Sequence, residues 1–283
     1  MNRPHLQGIG LIGSPSGRRY VLEHQIGDGT LGTVYRARAE QTGSLCAIKL
    51  LTMSPIKGLL DRLWQLVDDM RALDHPAIVR VTDSGEWEGR GFVVMELCDP
   101  HSAENALARG TVTPARVKRI AVEVAGALEA AHPHKLSHQA LMPSSILVRQ
   151  VADGSDTVRL LGVGLLFAFS AGDEKVGALL ATPKMLPPEM SLSWGDTADP
   201  RMDIYALGAV MARMLTGHRP FGLKMEQILA ARGSTQTAPV IRNLNPSVSP
   251  ALEEVVQRAM APKPRDRFRT MRELRIALES VEA

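Results

Sequence analysis

Gly27-Asp28-Gly29-Thr30-Leu31-Gly32-Thr33-Val34 lies between two stretches that read as strands, YVLEHQI at 20–26 and TVYRARAE at 33–40. A glycine-rich turn in that place lets backbone approach a phosphate closely, because no Cβ intervenes and the amide hydrogens supply compensating dipoles. Alone, G-x-G-x-x-G-x-V carries little, since a glycine-rich hairpin is often only a hairpin. The turn precedes a strand, where a dinucleotide-binding turn would precede a helix, and it lacks the G-K-[ST] ending of a P-loop. Both of those readings fall. Asp28 reads as a solvated turn residue in preference to a metal ligand.

Working outward, SLCAIKLL at 44–51 adds a third strand and makes an antiparallel meander. Between Gly58 and Leu73, the residues Leu59, Leu60, Leu63, Leu66, Val67, Met70 and Leu73 recur at helical spacing. IVRVTDSGEWEGRGFVVMEL, 78–97, then reads as two further strands around a Gly-containing connection. The character changes after Cys98-Asp99-Pro100. Thr113-Pro114 predicts a capped helix running to Ala131, and SILVRQ and TVRLLGV predict a short β pair joined by VADGSD. Further helices are expected at about 200–216, 224–232, 250–260 and 270–281. Residues 1–18, rich in Gly, Pro and Ser, read as a flexible arm. The remainder divides into 19–97, mostly sheet with one helix, and 98–283, mainly helical, an α+β organisation.

The 33 Lys and Arg against 30 Asp and Glu leave a net charge of +3 over 283 residues, so no electrostatic footprint points to nucleic acid or an anionic membrane. Hydrophobic residues at 45% and charged residues at 22% support a large core and exclude disorder, while 4% aromatics leave little for stacking on bases. Cys46 and Cys98 each lie in an apolar run and suit reduced thiols, which points to the cytoplasm. No apolar stretch is long enough for a signal peptide or a membrane span, Arg213 interrupting ALGAVMARML for example. Composition therefore gives no reason to expect nucleic acid or membrane as a partner.

Cys46-Ala47-Ile48-Lys49 resembles the V-A-I-K strand of protein kinases, whose lysine reaches the nucleotide phosphates. With it the chain resembles a eukaryotic-type Ser/Thr protein kinase domain, most like the bacterial members, from about Arg19 to the C-terminus. HPAIVRVTDSGEWEGRGFVVMEL resembles the strands leading to the hinge, which would place Met95 at the gatekeeper position and Glu96 to Cys98 facing adenine. LSHQALMPSSILV resembles the catalytic loop and ATPKMLPPEM the end of the activation segment. DIYALGAVMARMLTGHRPF resembles the central helix of the large lobe, and PRDRF the late arginine motif. The resemblance implies a bilobal kinase-like fold with a small antiparallel β-sheet lobe carrying one helix and a large helical lobe. It implies a nucleotide set of Gly27, Gly29, Gly32, Val34, Ala47, Lys49, Met95, Glu96, Cys98 and Leu147. Lys49 has an alternative reading as a strand-end lysine reaching to solvent.

Departures from the family pattern centre on the reaction. The catalytic loop H-R-D-L-x-x-x-x-N reads here His138-Gln139-Ala140-Leu141-Met142-Pro143-Ser144-Ser145, so Ala140 replaces the base, Met142 the usual lysine and Ser145 the asparagine. The D-F-G metal site aligns with Gly162-Val163-Gly164. Counting back from His75-Pro76, Leu66 stands where a glutamate would pair with Lys49, and Asp69 lies one turn onward. Scaffold positions look kept: Asp203 to anchor the catalytic-loop backbone, Glu189 with Arg267 as a buried ion pair, and Met70, His138 and Val163 in the apolar stack. His138 reads as structural. Thr182 reads as a phosphoacceptor or a loop-bracing hydroxyl, with Ser170 a weaker candidate. Asp153, Asp156, Asp173 and Glu174 are the carboxylates available to stand in for a lost one.

From these losses the resemblance implies a pseudokinase, an inactive regulatory or scaffolding module that presents its surface to a protein partner. On that reading no catalytic residue and no metal ligand remain, no cofactor is required, ATP or ADP can be admitted, and magnesium is not expected. The alternatives are a nucleotide sensor that binds without transfer, separable by a nucleotide-dependent thermal shift, and an atypical active Ser/Thr kinase.

Overall fold

The computed structural model describes residues 10–11, 14, 16–29, 31–51, 58–98, 101–108, 112–152, 154–165, 187, 189, 199–218, 220 and 240–283. The chain divides into two compact units, one of residues 1–74 with 79–100, the other of 75–78 with 101–283.

The first unit is a six-stranded antiparallel sheet in the order β1-β2-β3-β4-β6-β5. Its strands are β1 (Gly10–Leu11), β2 (Tyr20–Gly29), β3 (Gly32–Ala39), β4 (Leu45–Leu51), β5 (Val81–Trp87) and β6 (Arg90–Met95). Side chains alternate across a strand, so one face collects every second residue. That face is the core cluster Tyr20, Leu22, Tyr35, Ala37, Cys46, Ile48, Leu50, Phe92 and Val94, with Ala39 and Trp87 packed against it. Each large apolar side chain removed from water there contributes about 1.5–3 kcal/mol. The Tyr20 and Phe92 rings meet edge to face at 6.3 Å. Burial, with a smaller contribution from Glu23, pushes the Cys46 thiol up to about 11, so it behaves as an inert core residue.

Helix α1 (Leu59–Arg71) buries Leu63, Leu66, Val67 and Met70, the stripe expected from their spacing, and packs on β5. Gly58 precedes it in the left-handed region at φ 75°, a conformation open to glycine at no steric cost.

The second unit contains α2 (Ala103–Ala108), α3 (Pro114–Ala131), the hairpin β7 (Ile146–Gln150) and β8 (Asp156–Leu160), α4 (Pro200–Thr216), α5 (Pro250–Ala259) and α6 (Met271–Ser280). Hydroxyl or carboxylate caps start four of the helices. Thr113, Asp199, Ser249 and Thr270 accept backbone N–H bonds from Arg116, Arg201, Leu252 and Glu273, and proline follows the first three caps. α4 is buried on every side from Asp203 to Ala212, which marks it as the central helix around which α3, α5 and α6 pack. The segment 75–78 joins this unit because Ala77 accepts the Leu160 N–H at 2.7 Å and Pro76 accepts from Arg159 at 2.6 Å.

The expected helix at 224–232 lies outside the described residues, as do Ser170 and Thr182. Among the described residues, no helix is long and apolar enough to cross a membrane.

Candidate functional site

In the first unit the register gathers the sequence-selected residues on the sheet face opposite the core cluster. Val34 pairs with Gly27 on one side and Lys49 on the other, and Ala47 pairs with Met95. Because paired residues project to the same face, Val34, Ala47, Lys49 and Met95 line one surface beside the glycine hairpin. At Gly32 the turn is closed tightly: a Cβ there would stand 2.2 Å from the Leu50 carbonyl oxygen. Thr33 Oγ1 donates to Asp28 Oδ1 at 3.1 Å, so Asp28 serves the hairpin itself. Glu96 leaves β6 with its N–H on the Arg80 carbonyl at 3.1 Å, and Cys98 Sγ lies 3.9 Å from the Glu96 carbonyl.

Lys49 is half-buried, and burial pushes its ammonium below the usual lysine range. Among the described residues no carboxylate forms an ion pair with it. Leu66 is packed inside at 3% exposure, and Asp69, the carboxylate one turn onward, accepts instead from Gln65 Nε2 at 2.9 Å.

In the second unit the catalytic-loop region is pinned by Asp203. Its Oδ2 accepts from the His138 N–H at 2.9 Å and its Oδ1 from the Gln139 N–H at 2.8 Å, and His132 Nε2 lies 2.9 Å from Oδ2. Burial raises the Asp203 carboxyl, and the bonds and charge from His132 and His138 outweigh it, leaving the group below the ordinary aspartate range. These bonds hold Gln139 in the left-handed region at φ 62°. His138 Nε2 lies 2.8 Å from the Leu161 carbonyl, consistent with a structural histidine.

Two further backbone bonds, Leu161 N–H to the Ser145 carbonyl at 2.8 Å and Gly164 N–H to the Ser137 carbonyl at 3.0 Å, tie this loop to the stretch after β8. Ala140, Met142, Ser145 and Gly162 are thereby brought onto two adjoining segments. Gly162 has φ 83°, and a Cβ there would meet nothing within 4 Å. Leu147 stands in β7, half-buried, opposite Arg159.

Arg267 closes the third constellation with bonds of 2.6 and 2.7 Å to the two Glu189 oxygens. It also donates to the carbonyls of Ala261, Arg201 and Pro262, and it lies over the Tyr205 ring at 4.8 Å. Of the stand-in carboxylates, Asp156 is committed to Arg116, Nη2 to Oδ1 at 2.7 Å, and the other three lie outside the described residues. Among the described residues, no group of three or more His, Cys, Asp or Glu is placed to hold a metal.

Sequence reading missed Asp83 altogether. It is buried, and three hydroxyls converge on it. A lone acid in an alternating strand carries no motif that would have found it.

Comparison with known proteins defines the class. Residues 20–276 match the protein kinase domain, and the chain belongs to that family. It is 34% identical over 254 residues to the serine/threonine-protein kinase PknJ of Mycobacterium tuberculosis, covering 88% of this chain and 43% of the relative. It is 34% identical over 271 residues to PknD of the same species, covering 94% and 40%. The chain thus spans less than half the length of these relatives. Among solved structures, the kinase domain of Mycobacterium tuberculosis PknI superimposes with a TM-score of 0.75 at 23% identity, covering 99% and 98% of the two chains. A Rad53 fragment solved with AMP-PNP gives 0.69 at 23%, covering 90% and 63%. These likenesses show the kinase fold, a small antiparallel-sheet unit and a helical unit.

The expectation of an inactive, non-enzymatic module is overturned by the family match and by relatives named as serine/threonine-protein kinases. So is the expectation that no cofactor is required, since kinase chemistry runs on ATP with a divalent ion. The physical reason is that phosphoryl transfer through a loose transition state depends on positioning and distributed charge that several groups can supply, so the loss of single side chains does not by itself remove the reaction.

Proposed function

We propose that this domain is an atypical Ser/Thr protein kinase that transfers the γ-phosphoryl group of ATP to a hydroxyl of a protein substrate. The observation that carries the reading is the Asp203 anchor, which holds the His138–Gln139 backbone in the fold of a family whose work is this transfer. A rigid loop is what positioning requires.

The donor set fits the nucleotide. The amides of Gly27, Gly29 and Gly32 offer dipoles to phosphate, Lys49 offers a positive charge, and Val34, Ala47 and Met95 offer an apolar surface to the base. It does not fit a metal held by protein carboxylates, because Gly162 has no donor side chain and Ser145 offers one hydroxyl. Magnesium is commonly carried by the nucleotide's own phosphates with several waters, which suits a site of this kind. With Ala140 in place of a base, the substrate hydroxyl keeps its proton until the new P–O bond is largely formed and then releases it to water or to a phosphoryl oxygen. The Glu96–Cys98 stretch belongs to the same nucleotide reading, and a reducing cytoplasm suits the free thiols of Cys46 and Cys98.

The test is transfer of labelled phosphate from ATP to generic Ser/Thr substrates with magnesium or manganese, run beside Lys49→Ala. Turnover that this substitution abolishes is expected. Label no greater than that of the variant, together with a nucleotide-dependent thermal shift, would replace the kinase by the sensor.

A further inference from the structure

Asp83 is the buried carboxylate that the proposed reaction does not use. It sits in β5 at 3% exposure, where the strand's register shifts between Val81 and Asp83. Its Oδ2 receives the hydroxyls of Ser14 at 2.6 Å, Ser16 at 2.7 Å and Tyr20 at 2.7 Å, while Oδ1 accepts the Ser84 N–H at 3.0 Å. Ser14 and Ser16 also touch one another at 2.6 Å, and Arg18 faces the Tyr20 hydroxyl. A carboxylate taken out of water is tolerated only when such donors satisfy it. The bonds thus do two things: they stabilise the buried charge, and they fasten the residues before β2 to the sheet.

The fastening lies beside a covered edge. β1 pairs with the start of β2 through Gly10 with Val21 and Leu11 with Tyr20, so β1 occupies the edge of the sheet that β2 would otherwise present. Ser14 is buried, but Ser16 is exposed while its Oγ stays on Asp83. An exposed residue therefore has its hydroxyl in direct contact with one buried carboxylate.

We propose that Ser16 is a phosphorylation site and that Ser16 and Asp83 form a latch which the phosphate opens. In the reaction Ser16 Oγ forms a bond to the γ-phosphorus of ATP, the bond from that phosphorus to the bridging oxygen breaks, ADP leaves, and the hydroxyl proton passes to water. A donor to the carboxylate becomes a group with nearly two negative charges at pH 7. The phosphate and Asp83 then repel where a hydrogen bond had been, and Arg18 is free to leave with the phosphate as its counter-charge. The segment from Ser14 to Arg18 detaches, β1 loses its tether, and the backbone donors and acceptors of β2 at Tyr20 and Val21 become available for pairing. With this chain as its own catalyst the step rests on the kinase reading above, whereas the latch can be tested without any transfer.

The experiment uses the full chain. Phosphopeptide mapping after incubation with ATP and magnesium reads the modification, and amide hydrogen exchange across residues 14–22 reads the latch in the unmodified protein and in Ser16→Ala, Ser16→Glu and Ser16→Glu/Asp83→Asn. The expected results are phosphate on Ser16, exchange at least tenfold faster in Ser16→Glu than in Ser16→Ala, and recovery of most of that protection in the double variant, where the repulsion is gone. Phosphate elsewhere on the chain and none at Ser16 overturns the modification site. Equal exchange in the alanine and glutamate variants, or no recovery in the double variant, overturns the latch. Absence of label anywhere counts against the kinase reading, and the glutamate variants then decide the latch alone.

Discussion

The carboxylate of Asp203 holds the backbone N–H of His138 at 2.9 Å, across 65 positions of sequence and from the middle of the helical unit. A second bond fixes Gln139 and a third group, His132, closes the set. The loop that carries positions 140–145 thus takes its shape from a buried charge, independently of the side chains that it displays.

Removing that charge should loosen the loop and the domain together. Asp203→Asn is expected to cost about 3 kcal/mol at neutral pH, because buried donors lose a charged acceptor. The carboxyl is held below its unfolded value, so its stabilising contribution is present above the ordinary aspartate pKa of about 4 and is lost as pH falls through the lower folded value. Urea melts at pH 7 and pH 3 should therefore show a large difference between the native protein and the variant at pH 7 and a smaller one at pH 3. A gap that persists undiminished in acid would contradict this account.

Arg267 is fully buried and spends its planar fork on Glu189 while serving three backbone carbonyls. Lysine has the charge without the fork. Arg267→Lys is expected to lower stability by about 3 kcal/mol, close to the effect of Arg267→Ala. Thermal melts of the two variants check it, and a lysine variant as stable as the native chain would show that charge alone suffices.

Lys49 is expected to trade stability for nucleotide binding. Its ammonium is desolvated, with no ion-pair partner among the described residues, so the unfolded chain binds its proton more tightly and the charged form destabilises the fold. Lys49→Met should raise Tm by roughly 2–4 °C, the shift for about 1 kcal/mol in a domain of this size, and should abolish the thermal response to ATP. In the native protein, ATP affinity should decline with rising pH before a free lysine would lose its proton. A lowered Tm in the variant would point to a carboxylate partner.

Gly32→Ala tests the hairpin. The new Cβ would overlap the Leu50 carbonyl oxygen, so β3 and β4 must separate at the turn, at a cost of about 1–3 kcal/mol. Nucleotide affinity should fall at least tenfold. Calorimetric titration with ATP measures it, and unchanged affinity would separate the hairpin from phosphate binding.

Restoring the lost side chains should accelerate transfer. Gly162 has open space for a side chain, and aspartate is among the residues that best tolerate its left-handed conformation. Ala140→Asp combined with Ser145→Asn and Gly162→Asp is expected to raise the rate by roughly 10²-fold, the lower range of a positioned general base. Initial-rate assays at saturating ATP decide it. A slower triple variant would mean that the present residues belong to a different arrangement of the same reaction.

Much of the architecture is legible in the sequence. The alternation in β3 and β4, the stripe of α1, and the Thr113-Pro114 and Asp199-Pro200 starts are short-range signals, and short-range backbone preferences answer to them. Asp203 and the Arg267–Glu189 pair were legible through resemblance, since their partners lie at fixed places in a shared fold. The expectation of inactivity fails because the absence of a side chain says only what one group cannot do, and phosphoryl transfer in this family draws on positioning and charge from several groups.

Local chemistry written along the chain settled the strands, the helices, their caps and the glycine hairpin, because those depend on neighbours a few residues away. Which residues stand next to Asp83, and that Asp69 turns to Gln65 while Lys49 is left desolvated, depended on folding. Contacts between residues 14 and 83 obey distance and burial in three dimensions, and no periodicity or motif encodes them.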